Sequence, residues 1–156
     1  GSPGELRGDF DLTRDLGLLY ANTECGIFGV LPEENRPEAV GEAIPVARRT
    51  EVRTGKAVIL ANCRGDEVCA YEIEIEKLYG CSAPTRNLLL RVTDPALIAL
   101  TGGIVQGMSG SPIVQDGKLV GAVTHVLLDD PQRGYGILAE NMLSASGMTA
   151  QSAASA

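Results

Sequence analysis

From Val68 to Leu78 the chain reads VCAYEIEIEKL, with an apolar residue at every second position. Cys69, Tyr71, Ile73 and Ile75 take one side; Glu72, Glu74 and Glu76 take the other. A period of two belongs to a strand with one buried and one solvated face, whereas a helix would mix the glutamates with the isoleucines. Shorter runs of the same kind predict strands over 16–22 and 25–31, joined by a tight turn. Two more are predicted over 44–52 and 55–63, with residues 53–56 as their turn, and another over 87–93. SPIVQ (111–115) and KLVGAVTHVLL (118–128) flank Asp116-Gly117, a pair that tolerates positive φ and therefore predicts a two-residue hairpin. DDPQRGYG (129–136) is read as a further turn, leading into a strand at YGILA. Two segments depart from strand. DPALIALTGG (94–103) opens on Asp-Pro and closes on paired glycines, which fits one helical turn, and AENMLSAS (139–146) predicts a short terminal helix. Short strands with turn chemistry between them mean an all-β antiparallel barrel or sandwich.

Composition narrows this picture. A length of 156 residues suits one domain, and 44% apolar with 21% charged residues suits a packed core rather than disorder. Aromatics make up only 4%, so that core must rest on aliphatic side chains. The net charge of -7 argues against nucleic acid or an anionic membrane as the main partner, because both require a basic patch. No apolar run approaches the roughly 18 to 20 residues of a spanning helix, and no signal peptide opens the chain. The chain starts without Met in a polar, irregular stretch, as an excised fragment would. The Ser/Ala tail after the terminal helix reads as disordered. Cys25, Cys63, Cys69 and Cys81 form no C-x2-C pair, and a single histidine cannot complete a usual zinc set, so neither a metal nor a cofactor is expected. Cys63 and Cys69 flank a hairpin tip and either cross-link it or remain free thiols. The tip carries Arg64-Gly65-Asp66, which a polar turn explains fully. The acidic loop at 32–43 and the glutamate face of 68–78 are read as solvated surface.

The chemistry concentrates in GGIVQGMSGSPIVQDGKLVGAVTH, residues 102–125. Acyl transfer by a serine needs a base, an orienting acid and donors for the oxyanion. In GMSGSP the amides of Gly107 and Ser109 would be those donors, Gly110 would clear room for substrate, and Pro112 would start the next strand. A bare G-x-S-G match is also an ordinary tight turn. What lifts it is order: Asp94 lies in the helical segment before Ser109, and a hairpin, a strand and Val123-Thr124-His125 come after.

The string from Thr101 to Leu143 resembles the C-terminal hallmark of the stage IV sporulation protein B peptidases, and looser matches run upstream through CGIFGVL, IPVA, YEIEIEKL and RVTDPALI. The resemblance implies a chymotrypsin-like antiparallel β-barrel fold, with one complete barrel, part of the other and a short C-terminal helix. It implies Ser109, not Ser111, as nucleophile, and Asp94, fifteen residues upstream, as the triad aspartate. The family's histidine belongs to a Gly-His motif N-terminal to everything here, so residues 1–146 are expected to be a peptidase domain fragment without it, followed by a tail at 147–156. His125 is the sole histidine and is assigned to the cleft wall rather than to the base. By analogy with related barrels, Gly103, Gln106, Thr124 and His125 are expected at the substrate cleft, in a pocket with no fixed charge for Lys or Arg. Without its base this chain alone is expected to be inactive. Strands deprived of their neighbours would leave open edges, so self-association is expected as well.

The resemblance also implies a membrane-anchored whole protein in the space between the two forespore membranes, cutting itself and a membrane-bound regulator of sigma-factor processing. Two readings stand against the peptidase: a protease-like barrel that only holds peptides, and a plain structural barrel in which GMSGSP is a turn.

Overall fold

The computed structural model describes residues 11–39, 41–65, 67–80 and 83–147, with backbone alone at Cys63 and Arg64. The expectations for the first ten residues, Cys81 and the tail beyond 147 therefore lie outside the described residues, whereas a free Cys69 leaves the 63–69 pair without its cross-link. Cys25 and Cys69 are free thiols.

Among the described residues, eight strands and two short α-helices follow one another. β1 (Leu18–Thr23) and β2 (Gly26–Val30) form a separate two-stranded hairpin. β3 (Gly55–Arg64), β4 (Glu67–Leu78), β5 (Leu88–Val92), β6 (Pro112–Gln115), β7 (Lys118–Leu127) and β8 (Asp130–Leu138) close into an antiparallel barrel in the order β3-β4-β5-β8-β7-β6. α1 (Pro95–Thr101) links β5 to the loop before β6, and α2 (Ala139–Ala145) follows β8. The all-β fold with one complete barrel agrees with the sequence reading.

Alternation decides what fills the barrel. Tyr71, Ile73 and Ile75 of β4 point inward with Leu88, Leu90 and Val92 of β5, Ala57 and Ile59 of β3 and Ile113 of β6. Six strands enclose only enough room for such side chains, so the interior is packed core rather than channel. On the outer face Glu74 and Glu76 pair with Arg91, and Glu76 also pairs with Arg133, so the glutamate stripe is partly neutralised by neighbouring strands.

The Asp116-Gly117 hairpin forms as expected, with both φ angles positive at 51° and 73°. Two expectations fail. Residues 44–52 do not make a strand. They pair with the barrel at one isolated bridge, Val46 to Leu119, bury Ala47 and Val52 against its core, and enter a 3-10 turn at Arg49–Glu51. The run Arg48-Arg49-Thr50-Glu51 breaks the alternation, and Glu51 closes the turn locally by accepting from the Arg48 amide at 2.8 Å. Residues 129–136 in turn are mostly strand, because β8 already starts at Asp130. Its polar residues sit on the outer face, where Arg133 finds Glu76. Pro131 is accommodated at the strand start, where the β7–β8 register shifts.

Candidate active site

Ser109 sits at the junction of two consecutive turns. The Met108 amide donates to the Val105 carbonyl (3.1 Å), and the Ser111 amide donates to the Met108 carbonyl (3.0 Å). Met108 joins these turns, and its side chain is buried in the core, so the loop hangs on an apolar anchor. The Gly110 amide reaches the Val123 carbonyl at 2.7 Å and the Val123 amide reaches the Ser111 carbonyl at 3.0 Å, which ties the loop to β7. Gly107 has φ of +98°, a conformation that side-chain-bearing residues rarely adopt. Turning the chain there leaves the amides of Gly107 and Ser109 without an acceptor among the described residues, on either side of Met108. Ser109 itself is exposed.

The approach to this loop is equally constrained. Gly103 has φ of +141°, and a Cβ there would stand 2.2 Å from the Pro131 carbonyl oxygen. The adjacent Ile104 amide donates to that same oxygen at 2.8 Å. Glycine is therefore required at 103 for both conformation and contact.

Ser109 Oγ donates to the Thr124 carbonyl at 3.1 Å. The Thr124 hydroxyl lies 3.1 Å from the Thr85 carbonyl, 3.2 Å from that of Tyr135 and 3.0 Å from His125 Nδ1. Which partner donates in the Thr124–His125 contact follows from the tautomer of the ring. Ser109, Thr124 and His125 share a pocket of about 300 Å³ with Thr85 and Met142, and its opposite wall is Glu24–Gly26, the tip of the β1–β2 hairpin. A larger groove of about 580 Å³ lies elsewhere, across the outer faces of β3, β4 and β6, among Lys56, Val58, Glu72, Glu74 and Val114. It holds neither a serine nor a histidine, so chemistry rather than volume marks the site.

Of the residues expected at the site, the structure brings Ser109, Thr124 and His125 together. Gly103 is buried against Pro131, and Gln106 is exposed; neither lines the serine's pocket. Asp94 is the N-cap of α1. Its Oδ1 accepts from Ala96 N (2.8 Å) and Leu97 N (3.3 Å), and its Oδ2 accepts from Glu72 N (3.1 Å). These bonds, Glu72's foremost, hold its carboxyl below the ordinary aspartate range, against the opposing effect of burial. Asp94 is not among the residues of the pocket. Cys25 and Thr85 were not anticipated there. Nothing in the local sequence could have signalled them, because only the tertiary fold carries residues so far from Ser109 along the chain to its side.

A family model described as SpoIVB peptidase S55 matches residues 1–143. No curated protein matches. Among solved structures, the chain resembles the Rv3671c protease from M. tuberculosis in its active form, at 21% identity and a TM-score of 0.55, covering 85% of this chain and 59% of that one. The inactive form of the Rv3671c protease gives 19% identity and a TM-score of 0.52, over 84% of this chain and 65% of that one. A serine-to-alanine mutant of Rv3671c, also inactive, gives 19% identity and 0.54, over 84% and 63%. The chain thus spans about 59% to 65% of the length of these structures, and the likeness is one of fold.

Proposed function

Because the chain belongs to the SpoIVB peptidase S55 family, a family of sporulation peptidases, and has a serine protease-like fold, we propose that it forms the nucleophile-bearing part of a serine endopeptidase. Ser109 is the nucleophile. The amides of Gly107 and Ser109 are the oxyanion hole, and their lack of an acceptor among the described residues, beside an exposed hydroxyl, is the observation that carries the reading. Donors held in place before the reaction stabilise the developing oxyanion without reorganising, which is where such a site gains most.

The general base is a histidine from outside these 156 residues. Support comes from the hydrogen bonds: Ser109 Oγ donates to the Thr124 carbonyl, and among the described residues it makes no bond to the His125 ring. His125 acts as a wall of the cleft. An extended peptide substrate runs along β7 beyond Val123, where β6 no longer pairs with it. The substrates are this protein itself and a membrane-bound protein that regulates sigma-factor processing, cut in the space between the forespore membranes. Among the described residues no helix is long and apolar enough to cross a membrane.

Ser109→Ala in the full-length protein separates this reading from a peptide-holding module. The peptidase reading expects cleavage to be lost while folding is kept; unchanged cleavage contradicts it. The 156-residue chain by itself is expected to react with a fluorophosphonate about 10⁴- to 10⁶-fold more slowly than the full-length protein.

A further inference from the structure

We propose that Lys77 and Arg86, seated on a pair of tyrosines beside the serine's pocket, form a docking patch for an acidic stretch of the substrate close to the bond that is cut; this rests on the peptidase reading of Ser109. Arg86 lies over the ring of Tyr135, 5.3 Å from its centroid, and the Lys77 ammonium lies 5.0 Å from the centroid of Tyr79. The two rings meet at 6.2 Å, tilted by 56°. Two cations and two aromatics thus make one continuous surface, drawn from the end of β4, the loop before β5 and β8.

That surface adjoins the site. Thr85, the residue before Arg86, lines the pocket of Ser109. Tyr135 stands directly opposite His125 in the β7–β8 ladder, and its carbonyl is 3.2 Å from the Thr124 hydroxyl. A Cβ on the next residue, Gly136, would meet Ile113 and Leu90 of the core, so alternation turns the Tyr135 ring to the outer face of the barrel. Residues opposite each other on antiparallel strands share a face, which puts that ring beside the exposed His125.

The patch is also electrostatically unanswered. Lys77 and Arg86 are exposed, and neither has a carboxylate partner among the described residues, although the chain carries a net charge of -7. Glu76, the carboxylate next to Lys77 in sequence, is shared by Arg91 and Arg133. A cation resting on a ring face keeps N–H groups free for an anion, and the ring restricts its rotamers in advance. Two cations on an acidic chain are too few for a nucleic acid backbone but suit the carboxylates of a peptide.

Reach fits the same occupant. Neighbouring strands lie about 4.8 Å apart, and an extended chain advances about 3.4 Å per residue. Tyr135 is one strand from His125, so a peptide leaving the pocket past His125 meets Arg86 within about two residues. Lys77 pairs with Leu89, which pairs with Tyr135, so it stands three strands from His125 and about five residues away.

The test profiles cleavage of a synthetic random-sequence peptide library by the full-length protein, with cut bonds mapped by mass spectrometry. Wild type, the double variant Lys77→Glu/Arg86→Glu and Ser109→Ala are compared. Exposed ion pairs are individually weak, about two- to fivefold each, so Asp and Glu should be enriched about three- to tenfold within about six residues of the bond cut by wild type. The charge swap should remove that enrichment. Every protein meets all peptides at once, so enrichment does not depend on how much of a variant is folded. In 1 M salt, where the Debye length is about 3 Å, the wild-type enrichment should collapse. No enrichment in wild type, the same enrichment in the charge swap, or enrichment that survives 1 M salt would overturn the proposal. Failure of the peptidase reading looks different: wild type would cut nothing, or Ser109→Ala would cut the library as wild type does, and the docking patch would fall with it.

Discussion

The barrel and the β1–β2 hairpin are written in similar apolar strands yet reach opposite states. Every barrel strand has two neighbours, and the inward residues of β4 and β5, such as Ile75 and Leu90, are fully buried. Each hairpin strand has one neighbour, and Leu18, Leu19, Ile27 and Val30 all remain more than half exposed. Leu18 and Leu19 are consecutive, so both faces of the hairpin are apolar and neither is covered as the inward face of the barrel is. Among the described residues the hairpin is tied down by thin contacts, such as Tyr20 OH to the Ser146 carbonyl and Cys25 Sγ to the Pro84 carbonyl. A lone two-stranded hairpin is marginal in water. The pocket of Ser109 lies on the seam between these regions, with a rigid wall from the barrel and a lightly held one from the hairpin tip. Closure of a sheet, more than the apolarity of its strands, is what gives one wall its precision.

The comparison is broken first at the core. Leu90→Ala should cost about 2 to 5 kcal/mol in chemical denaturation, while Leu18→Ala should stay within about 0.5 kcal/mol. Equal costs would mean that the hairpin is as well packed as the barrel. Gly103→Ala probes the rigid wall nearer the site. It must leave a positive φ or push Pro131 away, so about 1 to 3 kcal/mol should be lost, and labelling of Ser109 in the full-length protein should slow more than the Tm shift accounts for.

A pH series sharpens the role of Asp94. Its folded-state pKa is lowered, so its stabilising contribution is whole above the unfolded value of about 3.9 and fades as pH falls through the folded value. Urea midpoints of wild type and Asp94→Asn should therefore differ by a constant amount from about pH 5 to 8 and converge below about pH 4. Smallest of all is Arg53→Ala. Its ion pair with Asp116 at 2.6 Å joins two largely exposed side chains, so removing it should change stability by at most about 0.5 kcal/mol.

The strands with strict alternation, the Asp116-Gly117 turn, the Asp-Pro helix start and the glycine-flanked serine were all legible in the sequence, because each is set by local sterics or by a single buried face. The segments misread were those whose state depends on distant partners. β8 is polar at its start and is a strand because β5 and β7 flank it, with Glu76 of β4 meeting Arg133. Residues 44–52 look like a strand, but Arg49–Glu51 turns in 3-10 geometry closed by Glu51, which also pairs with Lys118. At the candidate site, Ser109 was singled out from its own flanks. Thr85 and Cys25 were not, since nothing near them in sequence marks the fold that brings them there. Asp94 carries both a family resemblance and a cap sequence, and only the positions of its three amide partners show what its carboxylate is bonded to.

The most direct measurement is to treat the full-length protein with a fluorophosphonate and locate the adduct by peptide mass spectrometry. The account predicts a single adduct on Ser109, lost in Ser109→Ala and retained in Ser111→Ala. An adduct on Ser111, or peptide cleavage that persists in Ser109→Ala, would contradict it.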